Sequence, residues 1–185
     1  MSYRTSRRVP IGVKIGAIIV TAGIAISALG ALGAVSSKSL AGDVHVNAEQ
    51  VSRLEQVGVM QRWVNGIRAR ITEYPIATPS DRAKLLSEID ERIVKLNAAR
   101  DGYRGLEVDP AAMTAFDELW ASFYSQGTGE FMDLADSGRI AAAGTYYRAT
   151  LVPLATKVAD SLEAENAAVT AAAAKSADGA AARAS

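Results

Sequence analysis

The chain has no cysteine, which excludes a disulfide framework and thiolate chemistry, so stability has to come from packing. Histidine occurs once, at His45. A metal cluster built on His and Cys is therefore excluded, and a His-centred catalytic triad has little to stand on. No Gly-rich phosphate loop is present. Basic residues are scattered among acids, which leaves no footprint for nucleic acid. Acid pairs such as Asp90-Glu91 sit beside Arg92 on a helical pattern and read as a solvated face. After residue 40 the strand-like alternation of apolar and polar residues is missing as well. These absences point away from an enzyme and call for no cofactor.

What the sequence does contain is a run of 21 residues, Ile15 to Val35, without a charged side chain. As a helix it would be roughly 30 Å long, about the thickness of a bilayer's hydrocarbon core. The net charge of zero hides an asymmetry. Residues 1–14 carry Arg4, Arg7, Arg8 and Lys14 and no acid, so the rest of the chain holds an excess of four acids. A basic flank stays on the cytoplasmic side. The reading is a cytoplasmic tail at 1–14, a transmembrane helix at 15–35 and an extracytoplasmic domain at 36–185. That places the chain in the plasma (inner) membrane, with lipid as a partner. A cleaved signal peptide is the competing reading, and it would release a secreted bundle. The run is longer than the usual signal core, and no turn separates it from the helical pattern beyond.

Beyond the run the apolar spacing is that of long helices. Val57, Met60, Val64, Ile67, Ile71 and Tyr74 recur at alternating intervals of three and four, a heptad seam that Pro75 and Pro79 end. Thr78-Pro79-Ser80-Asp81 is a helix start: a hydroxyl cap, a proline in the first turn and an acid at the positive end. The second seam is Leu86, Ile89, Ile93, Leu96, Arg100 and Tyr103. Asp109-Pro110 opens a third helix with Met113, Phe116, Trp120, Phe123 and Leu134, loosened around Gly127 and Gly129. A fourth begins near Arg139 and carries Tyr147, Leu151, Leu154, Val158 and Leu162. Pro153 lies inside it and is expected to kink or loosen it. The last 22 residues contain 12 alanines and read as a weakly packing or frayed end. Short connections favour antiparallel neighbours. The fold class is therefore all-α, a transmembrane helix continuing into an up-down-up-down four-helix bundle.

Three polar features stand out. Arg68 and Arg70 flank the first seam on opposite sides near its outer end, where they can reach a partner helix or a small anion. Arg100 occupies a seam position and is expected to pair with an acid across the bundle. Tyr146-Tyr147-Arg148 lies on helix four, with Tyr147 expected in the core and Tyr146 and Arg148 facing outward. Arg68, Arg70, Tyr146 and Arg148 are the candidate ligand-binding residues.

The segment from Glu130 to Leu162 carries a more specific outline: Leu134-Ala135-Asp136-Ser137-Gly138, then Ala141-Ala142-Ala143, then Val152-Pro153-Leu154. With the basic tail, the apolar run and the bundle, it resembles the four-helix-bundle sensor region of methyl-accepting chemotaxis proteins. Helical sensors of histidine kinases and cyclic-dinucleotide enzymes are similar over the same region. The resemblance implies a homodimer packed through its first helices. It also implies a second membrane span and a cytoplasmic signalling module beyond residue 185, so that the chain would be the sensor portion of a longer receptor. It further implies that arginines on the outer part of helix one bind a small anionic ligand or a binding protein. The spacing of Arg68 and Arg70 does not reproduce the three-arginine pattern of the aspartate-type receptors. The alternative is a single-span helical protein that serves assembly.

Overall fold

The computed structural model describes residues 39–184. The basic tail and the 15–35 run lie outside the described residues. Among the described residues no helix is long and apolar enough to cross a membrane.

Four helical arms make up the described chain. The first is α1, Ser39–Glu73, closed by a single 3-10 turn at Tyr74–Ile76. The second is α2, Pro79–Tyr103. The third consists of α3, Pro110–Gln126, a π-turn at Gly127–Phe131, and α4, Met132–Asp136. The fourth consists of α5, Ile140–Tyr146, a second π-turn at Tyr147–Leu151, and α6, Val152–Ala184.

The arms begin and end where the side chains dictate. Thr78 caps α2 by accepting from the Asp81 amide at 3.3 Å, and Pro79 fills the first position. Asp109 caps α3 by accepting from the amides of Ala111 and Ala112 at 3.1 and 3.0 Å, with Pro110 following it. The third arm ends in a Schellman turn: the Arg139 amide bonds back to the Leu134 carbonyl at 2.9 Å, and the Gly138 amide to Ala135 at 3.1 Å. Gly138 sits at φ 73°, a left-handed conformation that a side chain makes costly. The Leu-Ala-x-x-Gly spacing seen in the sequence is this turn.

Contacts at the two ends fix the directions of the arms. At one end the 74–79 turn meets the 136–139 turn. The Tyr74 hydroxyl lies 3.1 Å from both carboxylate oxygens of Asp136, and Arg82 Nη1 lies 2.8 Å from one of them. Burial and then the Asp136 carboxylate raise the Tyr74 hydroxyl above its ordinary pKa. At the opposite end the 104–109 loop meets α6 at Glu165. The arms therefore alternate in direction around one core, and α3 and α6 share the most extensive backbone contact.

All six expected seam residues of α1, Val57 through Tyr74, are buried. So are Met113, Phe116, Trp120, Phe123 and Leu134 on the third arm. The second arm differs by one position, because Leu85 is buried and Leu86 is 39% exposed. Arg82, Leu85 and Ile89 share a helix face, and Arg82 is held inward by Asp136 and by the Tyr74 carbonyl, so Leu85 follows it. Ile93 and Leu154 are only partly buried, and Ala155 takes the inner position beside Leu154. Pro153 does not break the fourth arm. The chain widens just ahead of it, with the Val152 amide reaching back five residues to the Tyr147 carbonyl, which makes room where the proline cannot donate. The alanine-rich segment stays helical to Ala184 and buries Val169 and Glu165. Beyond Val169 none of the described side chains is buried, as expected of a weakly packing end.

Candidate functional site

An open groove of about 480 Å³ lies along α1 at the end of the bundle that carries the 74–79 turn. Successive turns of α1 supply Asn65, Arg68, Ala69 and Thr72. Glu73 and Ile76 close one end, and Tyr147 of the fourth arm forms the far wall. Residues 65, 68, 69 and 72 share one helix face by their spacing. The Thr72 and Tyr147 hydroxyls are 3.4 Å apart, which joins the first and last arms at this point. The Tyr147 ring is held from behind by Phe131, with centroids 5.8 Å apart.

The two candidate arginines have different surroundings. Arg68 reaches only the Asn65 side-chain oxygen, at 3.4 Å, and none of the ion pairs found among the described residues engages it. Arg68 lines the groove. Arg70 turns the other way and pairs with Glu88 of α2 and, at 3.0 Å, with Glu73. It is an interhelical tie, and it also holds the Glu73 carboxylate that edges the groove. The tyrosines separate as well. Tyr146 is part-buried and donates to Gln126 of the third arm at 3.0 Å. Burial, then the charge of Glu130, raises its pKa. Tyr147, expected in the core, is half-buried and lines the groove. Arg148 is exposed and lies outside the groove lining. Of the four candidates, Arg68 alone lines the groove, and its partner across it is Tyr147.

Arg100 pairs across the bundle as the sequence suggests. It holds Asp117 of α3 through two bonds of 2.9 Å and Glu107 through one of 2.8 Å. The bond to Asp117 is the chief reason its pKa is raised. Burial pushes the Glu107 carboxyl up, but bonds from Arg100 and from backbone amides outweigh it, leaving the group below its ordinary value.

Glu165 escapes sequence reading altogether. It is wholly buried, and it accepts from the Tyr103 hydroxyl and from the backbone amides of Val108 and Asp109, at 2.8 and 2.7 Å for the amides. The one available signal was its place in the heptad Leu151, Val158, Leu162, Glu165, Val169, hidden by the alanines around it.

The described residues thus form helical arms joined by polar ties, with a solvent-open groove between the first and last. A family model described as a four helix bundle sensory module for signal transduction matches residues 8–184, and the chain belongs to that family. No match was found among curated proteins or among solved structures.

Proposed function

We propose that the bundle is the extracytoplasmic sensor portion of a chemotaxis-type receptor, anchored in the plasma membrane through residues 15–35 and acting as a homodimer. Its ligand is a small molecule bearing a carboxylate. The observation that carries this reading is the unpaired Arg68 in a groove whose two walls belong to the first and last arms. Arg68 supplies charge, Asn65, Thr72 and Tyr147 supply hydrogen bonds, and Ala69 and Ile76 supply apolar surface. A ligand touching both walls favours one packing of the fourth arm against α1 over another, which is what a transmembrane signal requires.

The test is a thermal-shift screen of amino acids and dicarboxylates on the full chain in lipid nanodiscs, followed by titration of any hit. R68A is expected to weaken a hit by at least about tenfold, the loss of one charge-assisted contact, while R100A, toward the opposite end of the bundle, destabilises it and leaves the affinity of the folded fraction unchanged. A screen in which no carboxylate shifts the transition, or a hit indifferent to R68A, overturns the assignment of the groove. A topology reporter fused after Ser185 is expected to read as extracytoplasmic.

A further inference from the structure

The two π-turns share a cause that can be read from burial. On the fourth arm the buried positions Leu151, Ala155, Val158, Leu162, Glu165 and Val169 follow intervals of four and three. Carried backward, that pattern would bury positions 148 and 144. Instead Arg148 is exposed, and Ala143 is buried one place earlier. On the third arm the pattern Met113, Phe116, Trp120, Phe123, Gly127 would next bury position 130. Instead Glu130 is exposed and Phe131 is buried. Each arm thus contains one residue more than its heptad needs; the third stores it in a π-turn kinked at Gly129 (φ −94°, ψ −106°), the fourth in a π-turn without such a break.

The two extra residues sit at the same height. Phe131 closes one π-turn and Tyr147 opens the other, and their rings are 5.8 Å apart. Below this level the arms are pinned by Arg100 on Asp117 and by Glu165 on Tyr103 and the 104–109 loop. Above it the main polar tie is Asp136, which is 52% exposed. The level also touches α1: a Cβ on Gly127 would lie 3.0 Å from Ile71 Cδ1, so this backbone is packed directly on the first arm.

We propose that the paired π-turns form a slack joint across the third and fourth arms. The joint lets the outer end of the bundle change its packing while the heptad register below it stays locked. Matched insertions keep the two neighbouring arms in step on both sides of the joint. Tyr147 belongs to the joint and to the groove wall at once. The use of the joint by a ligand rests on the sensor reading above, whereas the joint itself does not.

Single-residue deletions in the full chain test this without any ligand. Removing Thr128 and Ala149, one from each π-turn, in a P153A background that spares a regular helix the proline clash, is expected to convert both π-turns to regular helix and to leave the melting temperature within about 5 °C of P153A. Removing Ala159, in the regular part of α6, throws Leu162 and Glu165 off the core and should lower it by more than about 10 °C. Equal damage from the paired deletion and from the Ala159 deletion overturns the proposal. Hydrogen exchange on the unaltered protein gives a reading that does not depend on folding of a variant. Amides of 127–131 and 147–151 are expected to exchange at least about tenfold faster than those of 113–123 and 154–165. Uniform protection along both arms would refute the joint.

Discussion

Tyr103 donates its hydroxyl proton to Glu165, a carboxylate on the last arm with no exposure to solvent. The same carboxylate accepts the amides of Val108 and Asp109, so one side chain of α6 closes the loop between the second and third arms. Replacing it with alanine leaves three donors facing an apolar space. E165A is expected to lose about 3 kcal/mol in urea unfolding. E165Q keeps the volume but turns an amide N–H₂ toward a backbone donor, and should lose about 2 kcal/mol.

Alkaline pH should weaken the same end of the bundle. Burial, and then the bond to Glu165, raise the Tyr103 pKa well above the ordinary tyrosine value of about 10. The folded state therefore keeps a proton that the unfolded state releases. Its contribution is full below about pH 10 and is lost as the pH climbs toward the raised folded value. Denaturation midpoints measured from pH 8 to 11 should fall more steeply for the parent than for Y103F, with Tyr74 supplying part of the slope that remains.

Arg100 is a test of geometry against charge. Its two parallel bonds to Asp117 and the third to Glu107 need the planar fork of a guanidinium. R100K keeps the charge and still should destabilise by about 1–2 kcal/mol, with R100A only slightly worse. A fully stable R100K in chemical denaturation would show that charge alone suffices.

Two glycines should respond in opposite directions to alanine. Gly58 lies mid-helix on the exposed face of α1, with open space where a Cβ would go, so G58A should stabilise by about 0.5–1 kcal/mol. Gly138 holds the left-handed position of the Schellman turn, so G138A should cost about 1 kcal/mol or more. Paired thermal melts of the two variants check both signs.

The bundle was legible because its seams are made of large residues at heptad spacing. Val57 to Tyr74 is the clearest case: each position is apolar, and a straight helix leaves a single face to bury. The Leu85–Leu86 choice was not legible, since adjacent leucines satisfy the same spacing and the clasp of Arg82 on Asp136 decides between them. Glu165 was hidden for a related reason, because a buried carboxylate is recognised by its donors, and these come from a loop 56 residues away. The groove was half legible. Arg68 and Arg70 look equivalent in sequence, and only the position of Glu88 on α2 separates them. The heptad spacing places Tyr147 in the core, because the extra residue in the fourth arm, which turns it toward α1, is visible only when the burial on both sides of it is compared.

Arg68 and Arg70 are two residues apart on one helix, yet one faces an open groove and the other ties α1 to α2. Position 68 is therefore free to vary in charge, size or polarity without loosening the bundle, while position 70 is not. On the sensor reading proposed above, substitution at one face of α1 changes what the groove binds, while the other face keeps the scaffold intact.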